Sequence, residues 1–140
     1  MAATFELEIA TPERLLIKEH VTEAQIPAAN GMLGVLPDHA ALIAELGIGE
    51  LSYTIPEGKR RMFIGNGWVE VLNNHVRVLA DRAEQPNEID AARAEKALKR
   101  AQDRLTQATS AGTLDVGRAL NALKRAEARL TTATAPATKK

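Results

Sequence analysis

Few side chains in this sequence have the type and spacing to do chemistry. Cysteine is absent, which removes thiolate nucleophiles, thiolate metal ligands and disulfides. His20, His39 and His75 are far apart, and no two share a metal-ligand spacing, so no metal site is expected. Ser52 and Ser110 are the only serines, and neither sits in a nucleophile elbow. The only Gly-Lys pair, Gly58-Lys59, has no glycine at the spacing of a phosphate-cradling loop, and Arg60 stands where that loop needs Ser or Thr. Gly47-Ile48-Gly49 and Gly65-Asn66-Gly67 lack the third glycine of a dinucleotide loop and read as bends or turns. With no nucleophile–base constellation, no catalytic residue is assigned, and a free-standing enzyme is disfavoured.

What remains is charge at helical spacing. Arg93 and Arg100 lie seven residues apart, and Arg125 and Arg129 four apart, so each pair shares a helix face. Those helices must be positioned by something, and the composition says where it lies. The chain has 140 residues, 45% hydrophobic, with 18 basic and 18 acidic side chains. That neutral total hides a split near Pro86. Residues 1–86 hold 7 basic and 12 acidic side chains, and residues 87–140 hold 11 and 6. All four aromatics and seven of the nine glycines precede residue 87. A punctuated, β-like composition thus gives way to an Ala/Leu/Lys/Arg-rich, helix-forming one. The opposite charges suit docking of one unit on the other, or two different partners.

The first unit reads as antiparallel β-structure. Phe5, Leu7 and Ile9 alternate with Glu6 and Glu8, and Leu51, Tyr53 and Ile55 alternate with Ser52 and Thr54, the period of a half-buried strand. Pro56-Glu57-Gly58-Lys59 marks a turn into a return strand at Arg61–Ile64. Gly65-Asn66-Gly67 marks another turn before Trp68–Leu72, and Asn73-Asn74-His75 separates that run from Val76–Ala80. Strands this short need closure onto a second sheet, so a sandwich or barrel is expected. The second unit reads as two antiparallel helices. Ala94, Leu98, Ala101, Leu105 and Ala108 trace one stripe, with Asn87 as the expected cap and Thr109-Ser110-Ala111-Gly112 as the stop. Thr113 is the expected cap of the second helix, whose stripe is Val116, Leu120, Leu123, Ala126 and Leu130. A seam so rich in Ala buries little apolar area, so this hairpin should be movable. No apolar run is long enough for a spanning helix, and the N-terminus does not read as a signal peptide.

Three stretches resemble the epsilon subunit family of bacterial F-type ATP synthases. Gly31-Met32-Leu33-Gly34-Val35-Leu36-Pro37-Asp38-His39-Ala40-Ala41-Leu42 is similar to the family's G-x-L-G-x-x-x-x-H-A-x-L signature. Gly65–Val71, followed by Val76–Asp81, is similar to its glycine-rich strand segment. Ile89-Asp90-Ala91-Ala92-Arg93-Ala94 fits its [I/L]-D-x-x-R-A motif. The resemblance implies an α+β protein: an N-terminal antiparallel β-sandwich of about ten strands over 1–86, a C-terminal two-helix hairpin over 87–132, and a disordered tail over 133–140. It implies a non-catalytic subunit of the rotating central stalk of a proton-translocating enzyme, with the gamma subunit, the c-ring and the alpha/beta hexamer as partners. The setting it implies is the cytoplasmic face of the bacterial inner membrane, reached only peripherally through the complex. In many members the hairpin folds down on the sandwich or extends along gamma to inhibit ATP hydrolysis.

The resemblance also implies sites. No cofactor is required, but some members bind ATP as a regulatory ligand on the folded hairpin. Residue by residue, that site corresponds here to Glu84, Ile89, Asp90, Arg93, Ala94, Arg100, Arg125 and Arg129. Guanidiniums on two helices suit a triphosphate, whereas the carboxylates suit adenine or ribose groups. Asp90 is equally a first-turn acid favoured by the helix dipole. Arg118, Lys124, Arg125 and Arg129 are the counterparts of beta-subunit contacts in the extended hairpin. Gly31, Gly34 and His39 fall where the family meets gamma and the c-ring, although His39 also reads as a locally bonded loop residue. Two other functions compete. A stand-alone ATP-sensing module would bind ATP without a copurifying gamma subunit. A nucleic-acid binder is opposed by the near-neutral pI and the lack of aromatics after Trp68.

Overall fold

The structure, a computed structural model, describes residues 3–111 and 116–134. Seven strands come first: β1 (Phe5–Ala10), β2 (Leu15–Val21), β3 (Glu23–Ala28), β4 (Gly31–Val35), β5 (Leu42–Ile55), β6 (Gly58–Leu72) and β7 (His75–Glu84). A single 3₁₀ turn at Pro86–Glu88 leads into helices α1 (Ala91–Ala111) and α2 (Val116–Thr134). The strands pair in the order β2-β1-β7-β6-β5-β3-β4 and close around one apolar core of residues such as Leu7, Ile26, Leu51, Ile64 and Val78. All pairings are antiparallel except β1 with β7, which run parallel and bring Glu6 opposite His75.

Among the described residues seven strands, not about ten, make the sandwich, and part of the difference lies in glycines that fall inside long strands instead of ending them. Gly65-Asn66-Gly67 does not end a strand: it is a kink inside β6, with Asn66 at φ 65° and Gly67 at φ 127°. Pairing with β5 and β7 resumes in unchanged register on either side. Gly47 and Gly49 likewise lie within the 14 residues of β5. True reversals occur at Pro56-Glu57 and at Asn73-Asn74, where both asparagines adopt the left-handed conformation.

Strict alternation fails where both faces of the sheet are covered. Met62, Phe63 and Ile64 are all buried. Met62 and Ile64 belong to the sandwich core, while Phe63 lies beneath α2. The helices meet through alanines: Ala94, Ala101 and Ala108 of α1 and Ala119 and Ala126 of α2 are buried. Seven-residue spacing keeps these methyls on one line, and small side chains let the backbones approach closely. Leu120, expected in the seam, is 38% exposed, and Ala119 takes its place. Helix α1 begins later than expected. Asp90, not Asn87, caps it, its Oδ1 accepting the Arg93 N–H at 3.1 Å. Its end also differs, because Thr109, Ser110 and Ala111 continue the helix. Helix α2 continues through Ala133 and Thr134, past the expected boundary at 132. The expected cap Thr113, the stop at Gly112 and the tail after Thr134 lie outside the described residues.

Candidate functional site

The hairpin lies folded on the sandwich, and α2 carries the contact, packing on β5 and β6. Arg129 donates from Nε and Nη2 to the two carboxylate oxygens of Glu84, both at 3.0 Å. Its guanidinium lies 4.5 Å from the centroid of the Phe63 ring. One turn on, the buried Thr132 hydroxyl donates to Glu50 at 3.2 Å, and Glu50 pairs with Arg61 at 3.3 Å. The docking face is therefore polar and charge-complementary, with Phe63 as its apolar floor.

Beside this contact lies a cavity of about 300 Å³ lined by Glu84, Glu88, Asp90, Arg93, Ala94, Ala97 and Arg129. Five of the eight residues expected in an ATP site meet here: Glu84 from the end of β7, Asp90, Arg93 and Ala94 from the start of α1, and Arg129 from α2. The other three are not brought to it. Ile89 is half-buried behind the 3₁₀ turn, its N–H bonded to the Pro86 carbonyl. Arg100 is exposed two turns along α1. Arg125 is half-buried against the sandwich, and its pKa is lowered by desolvation first, then by repulsion from Arg82 and Arg129. Arg129 and Glu84 engage each other, so the cavity presents Arg93 as its exposed cation, Asp90 as an exposed carboxylate, and only the remaining lone pairs of Glu84 and Glu88 as acceptors.

Sequence reasoning missed Glu88 and Ala97. Glu88 Oε1 accepts the Gln85 N–H at 2.9 Å, and its Oε2 pairs with Arg14 of the β1–β2 turn at 2.5 Å. The Gln85 N–H first, and then Arg14, hold its carboxyl below the usual range. The Q-x-x-E spacing was a legible capping signal; the partnership with Arg14, 74 residues away, was not.

The other expected positions separate. Arg118 and Lys124 are exposed on α2, while Arg125 and Arg129 turn to the sandwich. Gly31 sits at φ 125°, a conformation that favours glycine. Gly34 has ordinary dihedrals and instead makes room for the Gln25 side chain. His39 Nδ1 lies 2.7 Å from the Ala40 carbonyl oxygen. The adjoining Asp38 is left-handed and exchanges hydrogen bonds with Asn74, 2.6 and 2.9 Å. Trp68 is 56% exposed and stands opposite the exposed Leu79, with Ile43 nearby on β5, so the outer face carries an uncovered apolar patch. His75 is not isolated, as its sequence neighbourhood suggested: it bonds Glu8 and lies 3.4 Å from Glu6. Glu6 and Glu8 share a strand face by their i, i+2 spacing, a signal present in the sequence; the strand that faces them was not.

Comparison with known proteins bears on both halves. Residues 4–86 match the family model of the ATP synthase delta/epsilon chain β-sandwich domain, and residues 87–134 match that of its long α-helix domain. The ATP synthase epsilon chain of Solibacter usitatus (strain Ellin6076) is 57% identical over 102 residues, 73% of this chain and 76% of that one. That of Koribacter versatilis (strain Ellin345) is 51% identical over 105 residues, 75% and 74% of the two chains. A chain in the solved structure of the Euglena gracilis mitochondrial ATP synthase (OSCP/F1/c-ring, rotational state 1) superposes with a TM-score of 0.76 at 26% identity, covering 93% of this chain and 83% of that one.

Proposed function

The chain belongs to the ATP synthase delta/epsilon chain family, and from that premise we propose how its two parts serve the enzyme. It is a non-catalytic rotor subunit of an F-type ATP synthase. In our reading the sandwich binds the gamma subunit and the c-ring, and the hairpin regulates ATP hydrolysis by the alpha/beta hexamer. The exposed Ile43, Trp68 and Leu79 favour a protein partner on the outer sheet face. The exposed Met32 and Leu36, beside Gly31, Gly34 and His39, favour a second contact at the loop end. Among the described residues no helix is long and apolar enough to cross a membrane, and the proposed membrane contact is peripheral, on the cytoplasmic face of a bacterial inner membrane.

The folded hairpin is the state permissive for hydrolysis, and ATP in the cavity holds it there. The single observation that carries this reading is that the cavity wall is shared by β7, the start of α1 and the end of α2. A ligand touching Glu84, Arg93 and Arg129 must bind the docked hairpin better than the released one, and so shifts the population toward it. Arg93 supplies the cation for phosphate, and Asp90 and Glu84 accept from adenine or ribose groups. At about 300 Å³ the cavity is at the small end for ligand sites, so part of the nucleotide projects along α1 toward Arg100. When the hairpin extends, Arg125 and Arg129 leave the sandwich and join Arg118 and Lys124 as a basic face for the beta subunit.

Calorimetric titration of the full chain with ATP tests the ligand. Saturable binding that Arg93→Ala abolishes is expected. No binding at millimolar ATP would remove ATP from the account and leave the stalk role untouched.

A further inference from the structure

One cluster of side chains lies away from the hairpin and plays no part in its docking. Parallel pairing of β1 with β7 sets Glu6 opposite His75 and Glu8 opposite Arg77. Glu6, Glu8 and His75 each offer one donor atom, and the three atoms lie within 4.8 Å of one another. His75 Nε2 is hydrogen-bonded to Glu8 Oε1 and lies 3.4 Å from Glu6 Oε1. Donors of a tetrahedral Zn²⁺ site, with bonds of about 2.0–2.1 Å, stand about 3.3–3.4 Å apart. The His75–Glu6 distance already has that value. All three side chains are half-buried, their side-chain exposures between 20% and 34%, so they are partly withdrawn from water yet reachable.

We propose that Glu6, Glu8 and His75 form a three-donor site for a divalent transition-metal cation, of which Zn²⁺ fits best. One imidazole with two carboxylates is a borderline-hard donor set, which suits Zn²⁺ better than Mg²⁺ or Ca²⁺. The metal takes the place of the hydrogen bond between His75 and Glu8. Neighbouring groups limit the charge. Lys18 of β2 and Arg77 of β7 stand opposite Glu8, with Arg77 Nε 4.0 Å from it, so one acid is part-compensated. Among the described residues, those paired opposite Glu6 are His20 and His75, so no Lys or Arg compensates it across the strands. His20 is directly across the strand pair from Glu6 and exposed, on the same sheet face. On β6, His75 faces only Leu72. Bound metal would staple the N-terminal strand to the strand after the Asn73-Asn74 turn, at the end of the sandwich where Asn74 also holds Asp38 and accepts the Glu6 N–H.

The test uses the full chain, stripped with chelator and titrated with Zn²⁺ by calorimetry, with Co²⁺ as a spectroscopic probe. One saturable equivalent and a rise in melting temperature are expected. His75→Gln, and Glu6→Gln combined with Glu8→Gln as an independent variant, should each weaken binding at least about tenfold. His39→Gln should leave it unchanged. Absence of saturable binding, binding undiminished in both cluster variants, or equal loss in His39→Gln would overturn the site.

Discussion

Arg129 of α2 grips Glu84 of β7 through two parallel hydrogen bonds of 3.0 Å, 45 residues apart in sequence. The forked geometry fixes the rotation of α2 as well as its position, and the same guanidinium caps Phe63. Both side chains are about a quarter to a third exposed, so solvent screening reduces what the pair contributes.

Breaking this pair should release the hairpin. Arg129→Lys keeps the charge but loses the fork, and Glu84→Gln keeps the shape but loses the charge. Each should cost about 1–2 kcal/mol of docking, a roughly 5- to 30-fold shift toward the released state. Energy transfer between dyes on α1 and the sandwich reads this directly, and a double-mutant cycle should show coupling. Unchanged transfer in both variants would make the pair a bystander.

The alanine seam should tolerate no enlargement. Ala101 is 2% exposed and lies midway along α1. Ala101→Leu forces the helices apart, at a cost of about 1–3 kcal/mol. The hairpin should then melt below the sandwich in circular dichroism, whereas exposed Arg100→Leu should leave its melting unchanged. A single unshifted transition for Ala101→Leu would show that the seam is slack.

High pH should act through Tyr53. Burial, with a smaller push from Glu19, raises its phenol to about 12 against the ordinary 10. The folded state thus holds its proton more tightly than the unfolded chain. The associated stability is complete below pH 10 and is lost between about pH 10 and 12. Tyr53→Phe should flatten that loss in denaturant titrations at pH 9 and 11.5; an unchanged slope would assign it to other groups.

The kink in β6 should accept only glycine. A Cβ on Gly67 would lie 2.1 Å from the Leu79 carbonyl oxygen and 2.8 Å from the Ala80 Cα, both backbone. Gly67→Ala should therefore cost more than about 2 kcal/mol, against far less for Gly117→Ala in α2, where a Cβ meets nothing within 4 Å. Equal midpoints for the two variants would show that the kink can relax.

The alternating run Phe5–Ile9 and the Pro56–Lys59 turn locate real elements, because a half-buried strand and a tight reversal are local facts of hydropathy and dihedral preference. Strands β2 to β4 escaped the patterns read, since β2 is exposed along much of its length and β3 and β4 contain Pro27 and two glycines. Met62-Phe63-Ile64 hid its two-sided burial, which exists only once α2 covers the sheet. The motif from Ile89 to Ala94 brought Asp90, Arg93 and Ala94 to the cavity because helix spacing fixes what sits one turn away.

The sequence by itself determined the order of a β unit and a helical hairpin, their opposite charges and the alanine-rich seam between the helices. Tertiary structure alone decided that Arg129 pairs with Glu84 at the cavity wall, that Arg100 stays in solvent, and that His75 meets Glu6 and Glu8. Each of those outcomes depends on which strands pair and which face a helix turns inward. Non-local packing sets both, and no run of neighbouring residues encodes them alone.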